Sequence, residues 1–275
     1  MERLEFLKSV LSSEGYYCLF AANGGGRTQN FYDTIDKLHE AVETFDTRDH
    51  DVYFALSTFV NNTNRRADNA HQLQSFFVDL DCGPSKEYPS QQDAISALQT
   101  FCAKTNMPEP TKVNSGRGIH VYWVLSAPVP VNEWLPIAER FKEFCSENGL
   151  KADPAVTADA ARILRMPDTR NFKDTPPSPV AIINTAPSIE LADFVGLLGG
   201  VTPVSSNTNG VNVTVGFIAV NAENSFERIV KKIQAGKGCA QLQHILTDQA
   251  SVTEPLWRAG LSIAKFCEDG DKAAQ

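Results

Sequence analysis

A chain of 275 residues, 42% hydrophobic, 21% charged and 9% aromatic, has the make-up of one large or two smaller folded domains. Its net charge of −8 excludes a general electrostatic grip on nucleic acid, though not a local basic patch. No apolar run approaches the roughly 20 residues that span a bilayer, and Met1-Glu2-Arg3-Leu4-Glu5 is not a signal-peptide core, so a cytoplasmic protein without a membrane partner is expected.

The chain opens its readable pattern at Tyr16–Ala22, a short aromatic and apolar run that predicts a strand. Asn23-Gly24-Gly25-Gly26 stops it as a turn or flexible loop. Over 34–45, Ile35, Leu38, Val42 and Phe45 share one helical face. Val52–Phe59 and Gln74–Leu80 each read as a strand. Ser90 with Asp93 is an N-terminal cap for a helix to about Lys104, with Ala94, Ile95, Leu98 and Phe101 inward. Thr111–Val113 and Ile119–Leu125 flank a Ser-Gly-Arg-Gly turn as a hairpin-like pair. A helix over 133–147 puts Leu135, Ala138, Phe141 and Phe144 inward and stops at Gly149. Leu150-Lys151-Ala152 reads as a short strand and Val180–Ile183 as the last one.

This order of strands and helices predicts an α+β domain over 1–195. A Gly/Ser/Thr/Asn/Val-rich stretch follows at 199–215, within a linker taken as 196–220. Residues 221–275 then read as a small all-helical segment, with helices at 222–233, 239–248 and 255–268. The chain stops without a closing element, as the front portion of a longer polypeptide would. Its six cysteines, at 18, 82, 102, 145, 239 and 267, form no Cys-x-x-Cys pair. Buried reduced thiols are expected rather than zinc ligands or disulfides.

Three stretches carry chemistry. Asp79 and Asp81, in Phe76-Phe77-Val78-Asp79-Leu80-Asp81, stand two apart on a strand, so both carboxylates point the same way. Buried carboxylates on one face repel, and a divalent cation such as Mg2+ or Mn2+ relieves the repulsion. The plainer alternative ends the strand at Val78 and leaves both acids solvated. In Ser115-Gly116-Arg117-Gly118-Ile119-His120, the glycines allow a sharp bend or close ligand approach, and Ser115, Arg117 and His120 could converge on one phosphate. An ordinary hairpin with a structural histidine fits the same residues. Over 153–173, Arg162, Arg165, Arg170 and Lys173 suit phosphate contacts; an exposed charged loop is the alternative. Arg65 and Arg66 could touch a template or simply be solvated. Gly24–Gly26 with Arg27 lacks a Gly-Lys-Ser/Thr ending, so no ATPase loop is expected.

These stretches, in this order, resemble the archaeo-eukaryotic primase superfamily, and most of all the primase-polymerases of phages and plasmids. Members carry an Asp-x-Asp motif, a Ser-x-His-like motif and a third motif with an acid. Many add an Arg-x-Pro-Gly-Thr-x-Asn-x-Lys run, here Arg165-Met166-Pro167-Asp168-Thr169-Arg170-Asn171-Phe172-Lys173, with Asp168 in place of the usual glycine. The resemblance covers roughly residues 15–185. The tail around Trp257 looks like the helical segment that follows this domain in phage primase–helicase proteins.

The resemblance implies a mixed or antiparallel-sheet catalytic core, an RRM-like half plus an N-terminal α/β unit. Asp79, Asp81 and a third acid would hold two divalent metals, Mg2+ or Mn2+. Asp153 is the expected third acid and Asp159 its rival. His120, with Ser115, Gly116 and Arg117, would contact the triphosphate, and Arg162, Arg165 and Lys173 would compensate its charge. The implied activity is template-dependent synthesis or extension of primers on single-stranded DNA from dNTPs or NTPs, with a fused or separate replicative helicase as a further partner. In a phage-encoded protein the location would be the host cytoplasm. A non-catalytic nucleotide- or nucleic-acid-binding module of the same fold, and a metal-dependent nuclease or phosphatase, are the alternatives.

Overall fold

The computed structural model describes residues 2–46, 48–199, 201–202, 218–219, 226–234, 240–247 and 252. Contacts divide the chain into two units, Met1–Ile218 and Ala219–Gln275.

In the first unit, helix α1 (Arg3–Val10), which the sequence reading does not anticipate, buries Phe6, Leu7 and Val10 at helical spacing. Strand β1 (Tyr17–Asn23) turns at Gly24–Gly25 into β2 (Gly26–Tyr32), so the glycine run closes a hairpin. Strand β2 is largely exposed and polar, and this hides it from an apolar-pattern search. Helix α2 (Ile35–Asp46) buries Ile35, Leu38 and Val42, with Phe45 packed alongside.

The predicted strand at 52–59 is two strands. β3 (Asp51–Ala55) and β4 (Ser57–Phe59) break at Leu56, whose N–H donates to the Arg162 carbonyl (3.0 Å). The break sends the chain from one sheet to another. β3 joins β2, β1 and β8 (Ile163–Arg165) in a four-stranded antiparallel sheet ordered β2-β1-β3-β8. β4 joins β5 (Ala70–Leu80), β7 (Ile119–Pro130), β6 (Thr111–Asn114), β10 (Ser178–Asn184) and β9 (Thr169–Asn171) in a six-stranded antiparallel sheet, in that order. The stretch around 162–173 is therefore no exposed loop: its two short strands are edge strands of different sheets.

Helix α3 (Gln91–Thr105) starts at Ser90, whose Oγ accepts from the Asp93 N–H (3.2 Å), and ends at left-handed Asn106 (φ 59°). Helix α4 (Val131–Glu147) buries Trp134, Ile137, Ala138, Phe141 and Phe144. Leu135, expected inside, is 40% exposed because Trp134 takes the core-facing position one residue earlier. Phe76 of β5 stacks on Trp134 (centroids 5.6 Å) and on Phe194 (4.3 Å) of helix α6 (Leu191–Leu197), and Trp123 of β7 meets Phe101 and Phe141 edge-on. Burying each such ring contributes about 1.5–3 kcal/mol. This fills the helix-covered face of the six-stranded sheet. On β7, His120 and Tyr122 alternate with Trp123 and so point to the opposite face, where Phe6 of α1 packs on Tyr122 (5.4 Å).

Residues 150–152 form no strand. The N–H of Leu150 donates to Cys145 and that of Ala152 to Leu150, so no ladder partner remains. Asp153 instead caps the four-residue helix α5 (Pro154–Thr157) through its Oδ1 and the Ala155 N–H (2.9 Å).

Among the described residues Cys18 and Cys145 are buried and free, and Cys82 and Cys102 are free and partly buried. Burial pushes the Cys18 thiol up to about 12. Cys239 and Cys267 lie outside the described residues, as do the predicted helix at 255–268 and, apart from Gly199 and 201–202, the stretch read as a linker at 199–215.

In the second unit, α7 (Phe226–Gln234) and α8 (Ala240–Thr247) bury Ile233, Leu242 and Ile245 in a small cluster with Ile229, Leu246 and Val252. Among the described residues no helix is long and apolar enough to cross a membrane.

Candidate active site

The central antiparallel pair β5–β7 places Asp79 directly opposite His120. Side chains directly opposite in such a pair share a face, so both lie on the side away from the helix layer. The His120 Nε2 stands 4.0 Å from Asp79 Oδ1, beyond hydrogen-bond reach. Asp81 follows the last residue of β5 and lines the same cleft as Asp79. This cleft, of about 740 Å3, is also lined by Ser115, Gly116, Arg117, Gly118, His120, Arg162, Arg165 and Lys173. All the predicted site residues except Asp153 therefore meet in one cavity.

The acids are held in an uncomfortable state. Burial, then the charges of Asp81 and Asp153, pushes the Asp79 carboxyl up to about 7, against the opposing pull of Arg162 and Lys86. Among the described residues nothing donates a hydrogen bond to the Asp79 carboxylate; Lys86 Nζ donates to Asp81 Oδ2 (2.7 Å). Asp153 is brought beside Asp79 by its backbone, donating its N–H to the Asp79 carbonyl (3.0 Å). Its side chain lines a neighbouring cavity of about 770 Å3 that also reaches Asp81. Asp159 caps its own turn by accepting from the Ala161 N–H (2.9 Å).

Among the described residues no group of three or more His, Cys, Asp and Glu side chains converges closely enough to hold a metal together. The pair Asp79 and Asp81 nonetheless fits a divalent cation completed by water and phosphate oxygens. A partly buried carboxylate with no donor among the described residues, next to a like charge, is what such a cation satisfies.

His120 is buried, and burial followed by the charges of Arg165 and Arg162 drives its pKa down to about 3, so the imidazole is neutral. Its Nδ1 has no partner among the described residues. A neutral ring with one N–H can still donate to an anion.

The Ser-Gly-Arg-Gly turn is built tightly. Ser115 N–H donates to the Gly118 carbonyl (2.9 Å) and Ser115 Oγ accepts from Gly118 N–H (3.0 Å). Gly116 has φ 92°, and a Cβ there would meet Asn171 at 2.8 Å; one on Gly118 would meet the Leu80 carbonyl at 2.6 Å. Buried Asn171 donates from Nδ2 to the Ser115 carbonyl (2.9 Å) and accepts from the Lys173 N–H (3.1 Å). It ties the Arg165–Lys173 run to the glycine turn.

The four expected cations divide into two kinds. Arg165 is buried, paired with Asp51 (2.7 Å) and seated on the Tyr53 ring (4.8 Å), and Arg117 is paired with Asp174. Among the described residues Arg162 and Lys173 have no carboxylate partner, so their charge faces the cleft. Tyr53, Lys86, Gln91 and Asn171 also line the cleft. Of these only Asn171 left a trace in the sequence, as a member of the Arg-x-Pro run. Arg65, set apart above as a weaker candidate, donates to the Ala161 carbonyl and lies over Phe20 (6.0 Å).

The fold and cleft thus define an antiparallel α+β domain with an acid pair, a neutral histidine and free cations around one cavity. Solved structures similar to this chain are those of primases and polymerases. One is the AEP domain of the cyanophage S-2L primase-polymerase, with 14% identity, a TM-score of 0.48, and 67% of this chain and 89% of that chain covered. The catalytic domain of primase RepB′ in complex with initiator DNA is 16% identical at a TM-score of 0.47, over 72% of this chain and 94% of that one. The structure of primase RepB′ is 13% identical at a TM-score of 0.49, over 99% and 80%. No family model matches the chain, and no curated protein matches it.

Proposed function

We propose that this chain is a template-dependent nucleotidyltransferase, a primase-polymerase that makes or extends primers on single-stranded DNA from nucleoside triphosphates. One observation carries the reading: Asp79 and His120 stand in register across β5–β7, with Asp81, Arg162 and Lys173 around the same cleft. An acid pair beside unpaired cations suits a bound polyphosphate better than either group alone. The order of the three motifs along the chain supports the same reading.

In this mechanism Asp79 and Asp81 would hold Mg2+ or Mn2+. The bound metal would neutralise charge on the triphosphate and lower the pKa of the attacking 3′-hydroxyl. Neutral His120 donates its N–H to a phosphate oxygen, and Arg162 and Lys173 offset charge on the polyphosphate as pyrophosphate leaves. The glycines let the turn close against Asn171 and Leu80 and so fix the cleft wall beside the phosphates. Arg165, locked by Asp51 and Tyr53, shapes the cleft wall rather than meeting substrate. Catalysis then rests on positioning and electrostatics. Asp153, whose N–H donates to the Asp79 carbonyl, would be the third acid of the metal site.

The experiment is incorporation of labelled nucleotides on unprimed and primed single-stranded DNA, with Mg2+ or Mn2+, beside an Asp79→Ala/Asp81→Ala double variant. Short products on unprimed template, lost in the variant, establish a primase. Extension of primers alone establishes a polymerase. Phosphate release or strand cleavage without synthesis gives the site to a nuclease or phosphatase instead.

A further inference from the structure

Lys86 is absent from the motifs and sits at the junction of the two cavities. It lines the main cleft with Asp79 and Asp81, and the neighbouring one with Asp81 and Asp153. Its ammonium lies 2.7 Å from Asp81 Oδ2. The hydrogen bond to Asp81 and that residue's charge, followed by the charges of Asp79 and Asp153, hold its pKa above the ordinary lysine value. One side chain therefore borders both cavities that the three acids line.

The segment that carries it is rigid at its base and free at its tip. Gly83 N–H donates to the Tyr88 carbonyl (2.9 Å) and Lys86 N–H to the Gly83 carbonyl (3.0 Å). Tyr88 is buried and its hydroxyl accepts from the Lys151 N–H (2.9 Å). The Lys86 side chain, by contrast, is half exposed. Exposed ion pairs are weak, so this one exchanges at little cost. The other cleft cations differ: Arg165 and Arg117 are committed to Asp51 and Asp174, and Arg162 and Lys173 contact no acid among the described residues.

We infer that Lys86 is a tethered cation that occupies Asp81 in the resting site and passes to the phosphates when a metal–triphosphate complex arrives. The inference rests on the metal-binding reading of Asp79 and Asp81 proposed above. An ammonium at Asp81 repels a free divalent ion and lowers its affinity. A metal that arrives with a triphosphate brings anionic oxygens that accept the displaced ammonium. The device favours the loaded nucleotide over the bare metal.

The test is Mn2+ binding to the full chain, without nucleotide, followed by the electron paramagnetic resonance of free Mn2+. The proteins are the parent, Lys86→Gln, Lys86→Arg and Asp79→Asn/Asp81→Asn. Lys86→Gln is expected to bind Mn2+ about fivefold tighter, the equilibrium equivalent of an exposed ion pair, with Lys86→Arg close to the parent. With Mn2+ and a non-hydrolysable nucleoside triphosphate, Lys86→Gln is expected to bind the nucleotide about fivefold more weakly. Unchanged or weaker Mn2+ binding by Lys86→Gln overturns the proposal while leaving an aspartate-dependent metal site standing. Tighter Mn2+ binding with unchanged nucleotide binding overturns the transfer to phosphate. Mn2+ binding that survives in the double aspartate variant, or is absent from parent and Lys86→Gln alike, overturns the metal reading and this proposal with it.

Discussion

The guanidinium of Arg3, in the first helix, donates from Nη1 to the carbonyl oxygen of Asp168 (3.3 Å), 165 positions along the chain. Asp168 is left-handed (φ 57°), and its own N–H donates to the Val180 carbonyl (2.8 Å). Arg3 also pairs with Glu43 and donates to His39. One buried cation thus ties α1 and α2 to the run that carries Arg165 and Lys173. The left-handed backbone at this position suits glycine best, and aspartate, tolerant of that conformation, can occupy it.

Asp168→Gly is therefore expected to change stability by less than about 1 kcal/mol, whereas Asp168→Val should cost about 1–3 kcal/mol because a branched Cβ resists positive φ. Arg3→Met, which takes the guanidinium donor from the Asp168 carbonyl, should cost about 1–3 kcal/mol. Urea midpoints at constant m-value measure all three. Equal losses for the glycine and valine variants would show that the conformation at 168 does not matter.

Asp79 and His120 act in opposite directions on the pH dependence of the metal-free protein, and substitution of Asp79 isolates its share. Its carboxyl titrates at about 7 in the folded chain and near 3.9 when unfolded. The folded state thus holds a proton at Asp79 that the unfolded state releases between these values, so the contribution of Asp79 to stability falls as pH rises from about 4 through about 7, while neutral, buried His120 contributes with the opposite slope below its ordinary value of 6.5. Asp79→Asn removes the penalty and should raise the melting temperature at pH 8 by roughly 5 °C, with the gap closing toward pH 4.5. Mn2+ should stabilise the parent and not the variant. A gap that ignores pH would refute the assignment.

Gly118 cannot carry a side chain without moving the end of β5. A Cβ there meets the Leu80 carbonyl at 2.6 Å, next to Asp79 and Asp81. Gly118→Ala should lose about 1–3 kcal/mol of stability and most of the nucleotide incorporation, since a shift of the acids by about 1 Å costs on the order of a hundredfold in rate. Calorimetry and primer extension on one preparation read both. Full activity in this variant would mean that the turn and the acids move independently.

The two kinds of arginine should separate by measurement. Arg165→Met leaves the Asp51 carboxylate without its cation, though still bonded to the Phe172 N–H, and should unfold more readily by about 3 kcal/mol. Arg162→Gln should leave the melting temperature within a degree or two, yet raise the KM for nucleotide about tenfold, with His120→Ala similar. If Arg162→Gln lowers stability as much as Arg165→Met, its charge is spent on the fold rather than on phosphate.

Much of the central architecture was legible in local pattern. The inward faces of α2 and α3, the Ser90 cap, the β6–β7 hairpin and the strand that carries Asp79 follow from period and turn chemistry that act within a few residues, although that strand ends at Leu80 and leaves Asp81 just beyond it. What pattern could not supply depends on distant partners. Val52–Phe59 reads as one strand because each residue suits one; only the Arg162 carbonyl at Leu56 divides it between two sheets. Leu135 and Trp134 compete for one core position, and the wider aromatic ring wins it. Strand β2 is exposed and polar, so its pairing with β1 alone makes it a strand.

The same division holds for the site. Sequence alone determined which residues carry charge and where glycine frees the backbone, and it singled out Asp79, Asp81, His120, Arg162 and Lys173, which folding brings to the lining of one cleft. It could not say that the backbone of Asp153, and not that of Asp159, is bonded to the Asp79 carbonyl, since that contact joins segments far apart in the chain. Nor could it say that Arg165 is spent on Asp51, or that Lys86 rests on Asp81. Charge and conformational freedom are properties of a residue, but pairing and burial belong to the neighbours that folding brings to it.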